Sequence, residues 1–475
     1  MVAPLLILSF VLVHLYDDFG PMEGASSCPP HQVLMRYAGG MFVLWLISHI
    51  AFMSAARRMD RGDRGAPFRA DSILNATRVV AVGAFAYAIY QYGLPDAIRA
   101  YIGTPVLIDR VLCAMPLWIM IGAGWYSRYP VERRMREALL MREIHAGRSP
   151  ETLPNRSGYV SLQIRHQMLM WILPICMISG AGDAVARVIE NNPRIYGMIG
   201  ATGSHLAQFA ASFIMFILAP FVIRRLWRTV ELGAGDLRDR IRSVVDSHGV
   251  RVQGPFVWRT GSGVLNAAVL GVMFPIRYLL YTDSLLESLT PRELEAVSAH
   301  EVAHLKHHHM PWLAVVAFAA AGIGGIVAEI VERVHHSWYA DAPLVTPDVF
   351  SHVSTIGVLL WVGLVFTYAS RCFERQADAF AARHLSINGS EPSASITNEA
   401  AQSVSQALIA VAYHNGVHED KFQWRHGSIS DRRRRVLSLV GISNDRLPID
   451  RVSLRLRWGS LIVVVSIIIL GVLGV

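Results

Sequence analysis

Apolar residues in this chain come in long blocks, and nearly all charged residues lie between them. The blocks run from Val2 to Tyr16, Met41 to Ala55, Val79 to Leu94, Val111 to Tyr126, Met168 to Gly180, Ile199 to Val222, Pro311 to Val331, Val353 to Ser370 and Ser460 to Val475. Long apolar blocks with almost no internal charge, Glu329 being the exception, are what a bilayer favours in a helix, so the pattern predicts about nine membrane spans. The first has no basic residue ahead of it and is followed by Asp17 and Asp18, which fits a retained anchor better than a cleaved signal peptide.

Two polar stretches interrupt this pattern, and they divide the chain into a bundle of spans (1–222), a polar segment (223–310), a helix pair (311–370), a second polar segment (371–458) and a last span (459–475). Within the first polar segment, Val230 to His248 has helical character. Val250 to Trp258, Val264 to Leu270 and Ile276 to Tyr281 are short runs of β-branched and aromatic residues set apart by Gly261, Gly263 and Pro275. They predict a small antiparallel sheet, with Asn266 and Ala267 opening its candidate edge strand. Thr290-Pro291-Arg292-Glu293 then has the form of a capping box with proline at the first helical position, and no glycine or proline follows until Pro311. The expected fold is a mainly α polytopic membrane protein, with a cytoplasmic zincin-like catalytic domain that contains a small β-sheet.

Composition supports the membrane reading: of 475 residues, 53% are hydrophobic and 17% charged, too apolar for a single soluble enzyme. The net charge of +8 suggests nucleic acid only until the arginines are located. Arg57, Arg58, Arg61, Arg64 and Arg69 follow the second block, and Arg128, Arg133, Arg134, Arg136, Arg142 and Arg148 follow the fourth. Asp17, Asp18, Glu23, Asp96, Glu190, Asp341 and Asp348 occupy the alternate loops. Short arginine-rich loops face the cytoplasm, so the amino terminus is expected inside, the carboxyl terminus outside, and both polar segments on the cytoplasmic side. Cys28, Cys113, Cys176 and Cys372 are widely spaced and form no C-x-x-C pair, which argues against a disulfide framework or a cysteine metal site.

The candidate chemistry lies in His300-Glu301-Val302-Ala303-His304. Histidines four apart on a helix share a face and can bind one Zn²⁺, with the glutamate beside them as general base. A catalytic zinc takes a third protein ligand and leaves its fourth position for water. Glu374 and Asp378, also four apart, are the best source; one can bind metal while the other orients a ligand histidine. The bland alternative is a solvated helix with Glu374 paired to Arg371 and Asp378 to Arg375. His307, His308 and His309 invite a second metal site, but polar residues are expected at the membrane boundary just before Pro311.

These residues resemble the integral-membrane gluzincin peptidases that include the HtpX heat-shock peptidase and the CAAX prenyl endopeptidase. Asn266-Ala267 with Gly271, Leu285-Leu286 through His304, Phe373-Glu374 with Ala377-Asp378, and His426 to Arg432 carry the resemblance, which covers roughly the second half of the chain. It implies that His300, His304 and Glu374 bind one zinc ion, that Glu301 is the base, and that Asp378 supports a ligand. His426 and Arg432 match a family motif linked here to stabilising the tetrahedral intermediate, although Gly427 stands where proline is usual.

The sequence therefore predicts a multi-pass zinc endopeptidase of the cell membrane that acts on membrane proteins or membrane-associated peptides, without nucleic acid as a partner. An HtpX-like role in quality control is preferred to one on prenylated termini, because lysine occurs only at Lys306 and Lys421 and this arginine bias points to a bacterium. The alternatives are a peptidase dedicated to one partner and a non-enzymatic transporter or sensor that retains a peptidase-like domain. Oligomeric state is not encoded in any recognisable feature.

Overall fold

A computed structural model of the chain describes residues 2–21, 28–63, 65–104, 107–145, 155–260, 265–338, 347–388, 393–424, 426–445 and 447–473. Glu23, Arg64, Arg148, Gly261, Gly263, Val264 and Asp341, which entered the expectations above, lie outside the described residues. The chain divides into two compact units, Met1–Trp227 and Arg228–Val475.

The described residues of the first unit form only helices and their connections: α1 (Ala3–Phe19), α2 (Pro30–Asp60), α3 (Ala66–Tyr92), α4 (Leu94–Ile102), α5 (Ile108–His145), α6 (Arg156–Gln163), a π-helical turn (Ile164–Leu169), α7 (Met170–Glu190) and α8 (Pro193–Leu226). Leu6 and Val13 of α1, Phe85 and Ile89 of α3 and Leu117 and Trp125 of α5 pack into one cluster. Near the helix ends, Arg99 of α4 joins Asp17 (2.6 Å) and Asp109 (2.7 Å), and Arg110 joins Asp183 of α7 (2.8 Å). Such pairs satisfy one another where water is scarce and fasten four helices together.

The second unit comprises β1 (Val230–Glu231), α9 (Asp236–Ser247), β2 (Gln253–Trp258), β3 (Ala267–Leu270), β4 (Tyr278–Thr282), α10 (Asp283–Ser288), α11 (Pro291–Lys306), α12 (His309–Trp338), α13 (Pro347–Ile387), α14 (Asn398–His414), α15 (Ile429–Leu437) and α16 (Pro448–Leu473). The helix expected from Val230 begins only at Asp236, because Gly233 and Gly235 precede it and Val230–Glu231 pairs instead with Phe256 and Val257. The sheet is mixed rather than antiparallel, in the order β1-β2-β4-β3. β3 doubles back on β4 as a hairpin, while β2 runs parallel to β4 on its other side. β4 is buried throughout as a central strand, and β3 is half-buried at the edge. The hairpin requires glycine at Gly271, whose φ is 95° and where a Cβ would stand 1.8 Å from the Ile276 carbonyl oxygen.

Among the described residues, eight helices are long and apolar enough to cross a membrane: α2, α3, α5, α6 with α7, α8, α12, α13 and α16. The first apolar block forms a helix of 17 residues. Its length of about 25 Å falls short of a hydrocarbon core of about 30 Å. By contrast, α13 has 41 residues, or about 60 Å, so one rigid rod joins a membrane span to the Glu374 and Asp378 stretch.

The helix α11 starts as its sequence predicts. Thr290 Oγ1 accepts from the Glu293 amide (3.3 Å) and Glu293 Oε2 accepts from the Thr290 amide (2.9 Å). Its inner face buries Leu294, Ala299, Val302 and Ala303 in the core that also contains Ala377, Ala381 and Phe380 of α13. Ala299, Ala303, Ala377 and Ala381 are all fully buried, and their small side chains allow α11 and α13 to pack closely. Tyr281 of β4 donates to Ser298 Oγ (2.8 Å), which fastens the sheet to α11. Farther back, His248 just after α9, His384 of α13 and Glu295 of α11 form a chain of contacts at 2.9 and 3.3 Å.

Candidate metal centre

The close packing of α11 and α13 brings two distant motifs to one point. His300 and His304 lie one turn apart with their Nε2 atoms 3.3 Å from each other. Glu374 reaches in from α13, with Oε2 3.6 Å from His300 Nε2 and Oε1 3.8 Å from His304 Nε2. Ligands about 2.1 Å from a tetrahedral ion stand about 3.4 Å apart, so this triangle has the dimensions of three ligands of one cation. Together His300, His304 and Glu374 form a group able to hold a metal ion.

Each of the three has a partner behind it. Asp378 Oδ1 is 3.0 Å from His300 Nδ1. An ionised carboxylate can only accept, so His300 donates Nδ1–H and its Nε2 presents a lone pair. Arg432 of α15 grips Asp378 with two hydrogen bonds, Nε to Oδ2 (2.9 Å) and Nη2 to Oδ1 (2.6 Å), and has Nη1 3.6 Å from Glu374 Oε2. His426 Nδ1 stands 3.0 Å from Glu374 Oε1. His309 of α12 approaches His304 from behind, Nδ1 to Nδ1 at 2.8 Å. Thus the imidazole Nε2 atoms and the Glu374 oxygens face one another across a small gap, an arrangement that favours a cation.

The electrostatics of the site differ from group to group. Burial lowers His304 to about 4 and keeps its imidazole neutral, as a ligand must be. Burial also works against charge on His300, but its hydrogen bond to Asp378 and the charges of Asp378 and Glu374 outweigh it and raise this group. The Glu301 carboxyl is pushed up by burial, with the Glu374 charge adding, while His300, His426 and Arg432 oppose the rise. Glu301 has no hydrogen-bond or ion-pair partner among the described residues, so its carboxylate is uncommitted. Arg432 is held more firmly protonated: burial opposes its charge, but Asp378 and Glu374 prevail.

The structure places each residue singled out in the sequence. His300, Glu301 and His304 are on α11, Glu374 and Asp378 on α13, and His426 and Arg432 at and just after the turn that leads into α15. Asn266 adjoins β3, its backbone exchanging hydrogen bonds with Thr282 (2.9 and 3.0 Å). Ala267 pairs with Tyr281, and β3 forms one edge of the sheet. Arg371 donates to the Trp424 carbonyl instead of pairing with Glu374. Gln376 is a functional candidate that sequence reasoning passed over, and His309 entered it only as part of a second metal site, not as a partner of His304. Their only sequence signal is position: His309 comes five residues after His304 but across a helix break, and Gln376 lies midway between Glu374 and Asp378.

Long apolar helices, an H-E-x-x-H helix and a carboxylate from a second helix are the features on which the resemblance to integral-membrane gluzincins rests. Residues 231–403 match the model of peptidase family M48. A protease HtpX homolog of Picrophilus torridus is 25% identical over 152 residues, 30% of this chain and 49% of that protein. A CAAX prenyl protease 1 homolog of Arabidopsis thaliana is 28% identical over 183 residues, 37% of this chain and 43% of that one. The chain spans about half the length of these curated relatives or less. The crystal structure of Saccharomyces mikatae Ste24p aligns over 86% of this chain and 99% of its own, at 14% identity and a TM-score of 0.38.

Proposed function

We propose that the protein is a membrane-embedded zinc endopeptidase that hydrolyses peptide bonds of membrane proteins or membrane-associated peptides at the cytoplasmic face. The observation that carries this reading is the triangle of His300, His304 and Glu374, with sides of 3.3, 3.6 and 3.8 Å, beside the uncommitted Glu301. The imidazoles and carboxylate fit zinc by donor type and spacing. A zinc ion held there supplies a Lewis acid that polarises the scissile carbonyl and acidifies water.

The other work belongs to the chain. Glu301 removes a proton from the attacking water and returns it to the departing amine, a task suited to a carboxyl whose affinity for protons is raised. Asp378 and Arg432 keep His300 oriented. His426 holds Glu374 through Nδ1, while its side chain is 41% exposed and its Nε2 has no partner among the described residues. That nitrogen is the group we assign to the oxyanion of the tetrahedral intermediate. Arg432, bound on two sides by carboxylates, acts from behind. An extended substrate segment adds to the free edge of β3 from Asn266 onward, with backbone hydrogen bonds setting its register.

The cytoplasmic assignment is supported by arginine at the ends of the spans that lead into the catalytic part: Arg224 and Arg225 on α8, Arg371 and Arg375 on α13, and Arg451, Arg455 and Arg457 on α16. Names of the relatives include both HtpX homologs and CAAX prenyl proteases, and an HtpX-like role in membrane-protein quality control is the reading we favour. The test is metal content and proteolysis of the detergent-purified chain beside Glu374→Ala and Glu301→Gln. Loss of zinc and cleavage in the first, with loss of cleavage alone in the second, is expected. Full zinc and activity in Glu374→Ala would refute the site, and cleavage of one membrane substrate among several unrelated ones would replace quality control with dedicated processing.

A further inference from the structure

His309 is 1% exposed and its ring is packed against two others. Phe373 stacks on it with centroids 4.6 Å apart and planes within 3°, and the His307 ring lies nearly parallel to it at 5.7 Å and 16°. His308 between the two histidines has φ of 53°, a left-handed conformation that is uncommon for a residue with a Cβ. This sharp break between α11 and α12 turns His309 back toward His304. A ring held so firmly against a candidate ligand calls for its hydrogens to be placed.

They can be placed by starting from the far end. Arg457 Nη2, which can only donate, is 2.8 Å from Gln376 Oε1, and Asp450 Oδ1, an acceptor when ionised, is 2.6 Å from Gln376 Nε2. These two contacts from α16 fix the Gln376 amide, so the atom it offers to His309 Nε2 at 3.1 Å is its oxygen. His309 must therefore donate from Nε2, and a neutral imidazole that donates there accepts at Nδ1. The group facing that Nδ1 is Nδ1 of His304, at 2.8 Å, which must carry its hydrogen. The lone pair of His304 is then left on Nε2, the atom that faces His300 and Glu374.

We infer that His309, Gln376 and the Asp450–Arg457 pair form a relay that fixes the tautomer and orientation of His304 as a metal ligand, so that α16 is part of the metal centre. The inference rests on the metal-site reading above. It gives the two histidines different supports: a carboxylate, Asp378, behind His300 and a neutral imidazole behind His304. Among the candidate ligands and the groups that support them, negative charge then comes from Glu374 and Asp378, and Arg432 offsets one of the two.

The test uses the full chain in detergent and measures zinc affinity by competition with a chromophoric chelator, with thermal unfolding of the metal-free form recorded alongside. His309→Leu removes the acceptor and should weaken zinc binding by about 10- to 100-fold. His309→Asn returns an acceptor near the position of Nδ1 and should recover most of that loss. Gln376→Leu, which does not touch His304, should weaken binding in the same direction by less. Wild-type affinity in His309→Leu overturns the relay and leaves the metal centre standing, and so does His309→Asn binding as weakly as His309→Leu, since packing alone would then explain both. Should His309→Leu fail to fold, unchanged affinity in Gln376→Leu overturns the relay by itself. A wild-type chain that binds no zinc overturns the site along with it.

Discussion

Replacing Arg432 with methionine takes away the guanidinium that faces both Asp378 and Glu374 while keeping much of its apolar stem. The two carboxylates are 3% and 6% exposed, and the arginine donates to the first at 2.6 and 2.9 Å. Removing one partner of a buried ion pair costs about 3–5 kcal/mol, because the remaining charge stays buried and uncompensated. In a cooperative unit of this size each kcal/mol lowers the melting temperature by about 2–4 °C. The metal-free variant should therefore melt about 6–20 °C below the wild type. Zinc acts in the opposite direction: a ligand at about a thousand times its Kd stabilises by about 4 kcal/mol, and a dication replaces the missing charge. Zinc should thus raise the variant's melting temperature by more than the wild type's and narrow the gap between them. Arg432→Lys, which keeps the charge but not the two-pronged grip, should fall in between. Scanning fluorimetry of the purified chain with chelator and then with zinc reads all of these. A metal-free Arg432→Met that melts within about 2 °C of the wild type would show that Arg432 does not hold the carboxylates in place.

Other changes test separate parts of the argument. Glu301→Gln should keep stoichiometric zinc and lose at least about 100-fold in cleavage rate, as expected when a general base is removed; near-normal turnover would assign the proton transfer elsewhere. Gly271→Ala puts a Cβ into the Ile276 carbonyl and should speed backbone hydrogen exchange across β3 and β4, whereas unchanged exchange would contradict the hairpin geometry. Ala377→Leu forces extra volume between α11 and α13 and should destabilise by about 1–3 kcal/mol with weaker zinc binding, because the two ligand-bearing helices must separate. Thr290→Ala removes the cap of α11 and should cost about 1 kcal/mol while leaving zinc stoichiometry intact, a modest shift that thermal unfolding can resolve.

Local signals in the sequence proved readable where a single element decides the outcome. The capping box at Thr290 and Glu293 forms as its spacing requires, and so does the turn that separates His300 from His304. The long apolar blocks become helices, because length and hydropathy are properties of one segment alone. The sheet was harder to read: its strands were recognisable, but the parallel pairing of β2 with β4 is a relation between segments that strand propensity does not encode. Val230–Glu231 likewise became a strand instead of a helix start, since Phe256 and Val257 were available to pair with it.

By itself the sequence determined that the chain would cross a membrane repeatedly, that α11 would begin at Pro291, and that His300, Glu301 and His304 would share one stretch of helix. All of these follow from periodicity, capping and chain length. Spacing alone left open which of Glu374 and Asp378 faces the histidines; the resemblance implied Glu374, and the tertiary structure gives the physical reason, with Glu374 closing the triangle and Asp378 behind His300. Both carboxylates sit on the same face of α13, and the difference between them depends on how α13 packs against α11 through Ala299, Ala303, Ala377 and Ala381. The same holds for Arg432, committed to Asp378, and for His309. In the sequence His309 is the last of three adjacent histidines, but a left-handed residue, a stacked phenylalanine and an amide oriented from α16 make it the support of His304. Hydrogen-bond direction is a property of a network, and a network exists only once its members have been brought together.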